Sequence, residues 1–402
     1  MPQTQELCLP TPLSACYATE QELTASLQRK ASPQPCAGLY PRDGTEEVCD
    51  IEAAISELTI PDQRLNVVVS SGMAAVSGAV RFALRRQGEE HHKAPLLAYS
   101  RDLYPQSTRS FEGLRNMGVS ATAFDAGNPD SVNRLLERKS PDVIFAETVA
   151  NTMNTSVLDI HSLLSKTRPA GEEGPIIVLD NTLPLSTSVD FNDILTPQDR
   201  VLVVESVTKG GMHNSGHLGA VYSKDPELMD EFRKFKATEG IVTSTHADVA
   251  ILRTLEATTP GFHDRNRALY ASTGKIAVAL AGAQQGQGSD PEFTISFPTL
   301  PDHPNHAYAE DHLPDGGGSP VVFMACTRFA QGAAKELLKR ISDHPSIREQ
   351  IKEGQIFLGQ SFGFKEARLL YDANACQVRV SGGYNIDSDA LAAALKEAAI
   401  DV

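Results

Sequence analysis

The stretch Val201-Leu202-Val203-Val204-Glu205-Ser206-Val207-Thr208-Lys209-Gly210-Gly211 passes from four apolar residues through an acid into two hydroxyls, a lysine and two glycines. An apolar run of this length, closed by turn residues, predicts a strand buried on both faces and ending in a tight loop. Runs of the same kind lie at residues 66–70, 95–100, 121–125, 143–147, 176–180 and 218–222. Helical periodicity fills several of the intervals, at 73–86, 107–117, 130–139 and 160–166. Near-continuous apolar strands alternating with helices predict an α/β fold with one large, mostly parallel sheet covered on both faces.

Working outward, residues 1–44 are irregular and rich in Pro, Gln and Ser, and Val48, Ile51, Ile55 and Leu58 then share one helical face. Residues 225–285 read as helical. The stretch 286–318, rich in Gly, Pro, Asp and His, reads as loops, and 320–327, 332–342 and 377–380 read as parts of a smaller C-terminal α+β domain. A chain of 402 residues suits about two or three packed domains. We expect an N-terminal segment over 1–50, the α/β domain over 51–245 and the C-terminal domain over 246–402.

Hydrophobic residues make up 41% and charged residues 22%, the balance of a soluble globular protein. A net charge of -15 disfavours nucleic acid and anionic membranes as partners. No run approaches the roughly 20 apolar residues of a membrane helix, and no basic segment followed by an apolar one opens the chain. The cysteines Cys8, Cys16, Cys36, Cys49, Cys326 and Cys376 are scattered without a CxxC, so reduced thiols, no metal site and a cytoplasmic location are expected.

Lys209 sits where a strand end can desolvate its amine and free it as a nucleophile, with Ser206, Thr208 and glycine amides beside it to ligate a phosphate. A solvated lysine at a strand end would read the same way in isolation. At Val67-Val68-Val69-Ser70-Ser71-Gly72-Met73 a strand turns into a helix whose first N–H groups form an anion site, or only an ordinary turn. Asp180 ends the run Ile176-Ile177-Val178-Leu179, where open α/β sheets carry active groups; it suits a cationic ring nitrogen, or an N-cap. Asn151 and Tyr104 follow two further strands. No GxGxxG follows a strand, which disfavours a nicotinamide dehydrogenase.

Taken together and in chain order, these residues resemble the cystathionine γ-synthase/γ-lyase (Cys/Met metabolism) family of fold-type I enzymes dependent on pyridoxal 5'-phosphate (PLP). The family's YxR appears as Tyr40-Pro41-Arg42, its SSGM as Ser70 to Met73 and its LYG tyrosine as Leu103-Tyr104-Pro105. Its ETxxNP resembles Glu147-Thr148-Val149-Ala150-Asn151, its VDNT Leu179-Asp180-Asn181-Thr182 and its SxTK Ser206-Val207-Thr208-Lys209. Its VRLSVG resembles Val378-Arg379-Val380-Ser381-Gly382-Gly383. The resemblance implies an aspartate-aminotransferase-like fold and PLP as cofactor. Lys209 is the implied Schiff-base lysine, Asp180 the partner of the ring nitrogen, Asn151 the partner of the ring hydroxyl, and Tyr104 the residue that stacks on the ring, meets the substrate and donates or accepts a proton near the leaving group. Ser71, Gly72, Met73, Ser206 and Thr208 would hold the phosphate, with Tyr40 and Arg42 reaching in from a neighbouring subunit. Arg379 would clamp the carboxylate of a small amino-acid substrate. The implied assembly is a homotetramer built from dimers that share active sites.

The chain also departs from the pattern. Lys209 is followed by Gly210-Gly211-Met212 in place of the family's YxxG, and the serine before LGG is Phe357. Cofactor positions are thus kept while substrate-side positions differ, which suggests an altered substrate. The expected activity is γ-elimination or γ-replacement on an amino acid, that is, a lyase or transferase of trans-sulfuration type. Two alternatives are a β-lyase and a lyase that removes halide from a chlorinated unsaturated amino acid to leave a terminal alkyne, for which the apolar Phe357 would suit a compact side chain. A binding protein without turnover would have no use for Lys209, Asp180 and Arg379 together.

Overall fold

The computed structural model describes residues 46–169, 174–212, 216–242, 251, 253–255, 261–288, 291–313, 318–327, 332–359, 365–372 and 376–400. Tyr40 and Arg42 lie outside these residues, as does the expected domain boundary at 245/246. The expected boundary at 50/51 falls within helix α1 (Glu46–Ser56).

The larger unit follows the alternation read from the sequence. In chain order it comprises α1, β1 (Asn66–Val69), α2 (Gly72–His91), β2 (Leu96–Ser100), α3 (Pro105–Asn116), β3 (Ser120–Phe124), α4 (Pro129–Lys139), β4 (Val143–Glu147) and α5 (Ile160–Thr167). Next come β5 (Ile176–Asp180), the single turns α6 (Leu185–Ser188) and α7 (Phe191–Ile194), β6 (Val201–Glu205), β7 (Gly219–Tyr222) and α8 (Pro226–Glu239). The strands form one sheet in the order β1-β7-β6-β5-β4-β2-β3. All neighbours are parallel except β7, which runs antiparallel to both β1 and β6.

Strands β4, β5 and β6 are buried along their whole length, because successive side chains enter different cores. Val143, Phe145, Ile176, Val178, Leu202 and Val204 pack under α2. Their neighbours Ile144, Ala146, Ile177, Leu179, Val201 and Val203 pack under α5. Helix starts follow local chemistry: Asn128 and Asp225 cap α4 and α8 immediately before a proline, and the left-handed Gly240 ends α8. Helix α1 is tied to the sheet by Glu52, which is 3% exposed and accepts from the Val68 amide of β1 at 3.2 Å, and to α8 through Arg233 at 2.7 Å.

The smaller unit contains α9 (Phe262–Gly286), β8 (Phe293–Ser296), α10 (His306–His312), β9 (Val321–Cys326), α11 (Ala333–Asp343) and α12 (Pro345–Lys352). It ends with β10 (Ile356–Leu358), β11 (Ala367–Asp372), β12 (Gln377–Ser381) and α13 (Ser388–Ile400). Its sheet has the order β10-β11-β12-β9-β8, antiparallel except for β10 on β11. Val322, Met324, Val378 and Val380 face a core shared with α9, α11 and α13. Val321 and Phe323, on the opposite face, join the core of the larger unit.

The stretch 286–318 contains loops as expected and also holds β8 and α10, which were not read from the sequence. Strand β8 spans only four residues between prolines, and α10 buries only Ala309, so neither carries a periodicity long enough to read.

Candidate active site

Strands β4, β5 and β6 end side by side, and each ends on a carboxylate: Glu147, Asp180 and Glu205. Glu147 pairs with Asp180 in the β4–β5 register. Asp180 is 9% exposed and accepts from the Thr182 amide at 3.0 Å. Burial pushes its carboxyl up to about 6, opposed by the hydrogen bonds from Thr182. Thr182 also accepts from the Ser206 amide at 2.9 Å, which ties the loop after β5 to the lysine loop.

Lys209 follows β6 in a tight turn, its amide bonded to the Ser206 carbonyl at 2.9 Å. Its amine is half-buried. Burial, and then the Arg379 and Arg368 guanidinium groups, lower its pKa from the ordinary lysine value, the direction that frees a neutral amine. A glycine follows, and a side chain in its place would push against Leu185. A Cβ on Gly210 would lie 2.1 Å from Leu185 Cδ1, and Leu185 is itself held left-handed at φ 53°. The loops after β5 and β6 therefore press together behind the lysine.

The anion site forms where α2 begins. Ser71 caps the helix by accepting from the Ala74 amide at 3.1 Å, and its first turn contains no acid. The leading N–H groups, Gly72 and Met73 among them, have no partners within the helix. A Cβ on Gly72 would lie 2.5 Å from Ser206 Cβ and 2.7 Å from Ser206 Oγ. The missing side chain thus lets Ser206 stand directly against the helix start. Thr208 is placed differently. Its hydroxyl accepts from the Leu218 amide at 2.9 Å and donates to the Leu218 carbonyl at 3.2 Å. It clamps the lysine loop onto the chain entering β7, and Ser206 is left as the hydroxyl beside the helix start.

Tyr104 precedes α3, with Pro105 as the first helical residue. Asn151 follows β4, and its amide oxygen accepts from Arg379 Nη2 at 3.0 Å. Arg379 stands on β12 with its guanidinium 5.3 Å above the Phe323 ring, and burial lowers its pKa. Because side chains alternate along β10, β11 and β12, the registers Phe357↔Arg368, Arg368↔Ser381 and Leu370↔Arg379 put Phe357, Arg368 and Arg379 on one face of the smaller sheet. Phe357 is 48% exposed there, on the edge strand.

Glu147 and Glu205 were not among the residues picked out from the sequence, although each marks an acid at the end of an apolar run. Glu205 Oε1 accepts from Asn181 Nδ2 at 2.8 Å, Ser186 Oγ at 3.0 Å and the Tyr222 hydroxyl at 2.6 Å. Burial raises it to about 7 against the pull of those donors. Glu147 is raised further, to about 8, by burial and by Asp180.

A lysine, a strand-end aspartate and the capped start of α2 thus lie at the C-terminal ends of the strands. The sequence over residues 2–344 matches the family model described as Cys/Met metabolism PLP-dependent enzyme. The chain belongs to that family. PLP is therefore its cofactor, and the residues present fit it: the Gly72–Ser206 cradle suits a phosphate, the buried Asp180 a ring nitrogen and Lys209 an aldehyde. Among curated relatives of the family, a probable cystathionine gamma-synthase of Herpetosiphon aurantiacus is 24% identical over 225 residues, covering 56% of this chain. The match spans 65% of that protein's length. Among solved structures, the chain is similar to a cystathionine gamma synthase from Xanthomonas oryzae pv. oryzae in complex with cystathionine. The TM-score is 0.68 and the identity 20%, over 90% of this chain and 87% of that one. It is also similar to a methionine gamma lyase from Micromonospora echinospora, with a TM-score of 0.65 and 19% identity over 92% and 90% of the two chains. These likenesses establish the fold as that of the fold-type I PLP enzymes of this family. Among the described residues, no helix is long and apolar enough to cross a membrane.

Proposed function

We propose that the chain catalyses a PLP-dependent elimination or replacement at the γ-carbon of an amino acid. The observation that supports this reading is the placement of Lys209 near Arg379 of the smaller sheet, whose guanidinium, after burial, lowers the lysine's pKa, with the loop after Asp180 bonded to the lysine loop through Thr182 and Ser206. The names of the curated relative and of the structural neighbours support γ-carbon chemistry.

PLP bound there supplies an electron sink for charge that develops beside the amino group of the substrate. The protein's part is placement and proton transfer. Arg379 offers a planar pair of donors to the substrate carboxylate, a fit that a lysine cannot copy. The amine of Lys209, its pKa lowered by burial and the neighbouring guanidinium groups, takes the proton from the α-carbon at Nζ and carries protons between neighbouring carbons. Asp180 stays anionic against the ring nitrogen. Tyr104 would lie against the ring and Asn151 would bond its hydroxyl, while Ser71, Gly72, Met73 and Ser206 would hold the phosphate.

The experiment is a screen of amino acids with a leaving group at the γ- or β-carbon, read as keto-acid and ammonia release, with Lys209→Ala beside the wild type. Release from γ-substituted amino acids that disappears in the variant is the expected result. A borohydride-reducible cofactor adduct persisting in Lys209→Ala would remove Lys209 from its role.

The assembly follows from the phosphate. It carries close to two negative charges, and with Lys209 committed to the aldehyde the motif Ser206-Val207-Thr208-Lys209 offers it no further cation. We assign that role to Arg42 of a neighbouring subunit, with Tyr40, in a homotetramer of dimers. Inactive Arg42→Ala and Lys209→Ala chains, once mixed and exchanged, should recover part of the activity, because one site in each mixed dimer carries neither defect. No recovery after verified exchange would exclude the shared site.

A further inference from the structure

Strand β4 reads Val143-Ile144-Phe145-Ala146-Glu147, so four fully buried apolar residues deliver a carboxylate into the interior. Glu147 is 4% exposed. A carboxylate so placed is costly unless donors surround it. Its donors come from two separate loops. Oε1 accepts from the Tyr104 amide and Oε2 accepts from the Asn151 amide at 2.9 Å.

We propose that Glu147 is a positioning residue for the reaction: its one buried carboxyl group holds the Tyr104 and Asn151 loops at a set separation and, through Asn151, places Arg379. The inference rests on the reading of Tyr104, Asn151 and Arg379 as site residues.

Three arguments carry it. The first is reach. Tyr104 begins α3 with no side-chain cap of its own, so the bond from its amide to Glu147 anchors the point where the ring leaves the backbone. The second is continuity. From Glu147 the contacts run through the Asn151 backbone to its amide oxygen and on to Arg379 Nη2 at 3.0 Å. The third is division of labour. The same two loops are also fastened at their rim, where Asp102 accepts from Ser156 Oγ at 2.6 Å and from Asn154 Nδ2 at 3.1 Å. With the rim fastened, the inner bonds of Glu147 set fine geometry. Misplacement of a reacting group by about 1 Å costs on the order of 10²-fold in rate.

Glu147→Gln and Glu147→Asp test this in the holoenzyme. Gln has the reach but turns one acceptor into a donor, which faces a backbone N–H. Asp keeps both acceptors but is one methylene too short to meet both amides. Each variant should fold, retain the cofactor absorbance and unfold within a few degrees of wild type. Each should lose roughly 10–100-fold in kcat/KM and weaken the circular dichroism of the bound cofactor. In a double-mutant cycle, Glu147→Gln should add little to Tyr104→Ala, because the geometry it protects is already lost. A residue that only stabilised the fold would give additive effects and unchanged dichroism.

The controls separate the two layers of the argument. If Tyr104→Ala and Asn151→Ala leave turnover and dichroism at wild-type values, the reading of those residues fails. If those variants are impaired while both Glu147 variants match wild type, the positioning role is overturned. Recovery of both Glu147 variants only as unfolded protein would make Glu147 a folding residue and overturn the proposal too.

Discussion

Arg379 Nη2 donates to Asn151 Oδ1 at 3.0 Å, joining the smaller sheet to the loop after β4 across 228 positions of the chain. The guanidinium is held before substrate arrives, by the amide on one side and the Phe323 ring beneath it. A lysine at this place would keep the charge but lose the planar fork. Arg379→Lys should therefore raise KM for the amino acid by roughly 10–100-fold, the worth of about one charge-assisted hydrogen bond. Cofactor absorbance should be unchanged. Steady-state kinetics with the substrate found in the screen would check it, and an unchanged KM would remove Arg379 from the substrate carboxylate.

Asp180→Asn should leave the fold intact. The register with Glu147 is made by backbone, and Asn retains an oxygen for the Thr182 amide. A neutral amide cannot hold the ring nitrogen protonated, so kcat should fall by roughly 10²–10³-fold, the scale of removing one well-aimed electrostatic contact. Near-normal turnover in this variant would refute the role given to the carboxylate.

Gly72→Ala puts a methyl group 2.5 Å from Ser206 Cβ. The helix start or the serine must move, at a cost of about 1–3 kcal/mol. The shift falls on the phosphate cradle, so PLP affinity should drop by roughly tenfold or more. Titration of apoenzyme with PLP, followed by absorbance, would show it. Wild-type affinity would place the phosphate elsewhere.

The buried carboxylates make a pH prediction. Asp180, Glu205 and Glu147 are raised to about 6, 7 and 8 in the folded chain. The unfolded chain releases these protons at ordinary carboxylate values, about 4. Between the two the folded state holds more protons, so these groups favour folding at low pH and that contribution is lost as pH rises towards 8. The histidines His161, His263 and His303 have pKa values lowered mainly by burial and act in the opposite sense at the acid end. The comparison is therefore between variants. Apo Glu205→Gln should lose less thermal stability between pH 6 and 8 than apo wild type, as scanning fluorimetry would record. Equal slopes would mean that Glu205 does not titrate in that range.

Much of the larger unit was readable from local pattern. Five-residue apolar runs ending in Glu147, Asp180 and Glu205 are β4, β5 and β6, because a strand buried on both faces needs no polar positions. The start of α2 was readable too, since Ser71 and Gly72 are a cap and a first residue of the expected kind. Strand β8 and helix α10 were not, because their few residues owe their shape to neighbours such as β9 rather than to a period of their own.

The sequence by itself determined which residues end the strands and therefore which side chains can meet at one edge of the sheet: Lys209, Asp180, Asn151 and the start of α2. Those assignments rest on periodicity and turn chemistry, which act over a few residues. Only the tertiary structure decided how these residues are joined. It inserted β7 antiparallel between β1 and β6, brought Arg379 from the second sheet onto Asn151, and turned the Thr208 hydroxyl onto Leu218. It also gave Glu147 two amides from different loops and raised three neighbouring carboxylates together. The physical reason is range. Strand order, register and burial are set by contacts between segments far apart in the chain, and a carboxylate's partners and charge follow from what packs around it, not from the residues beside it in sequence.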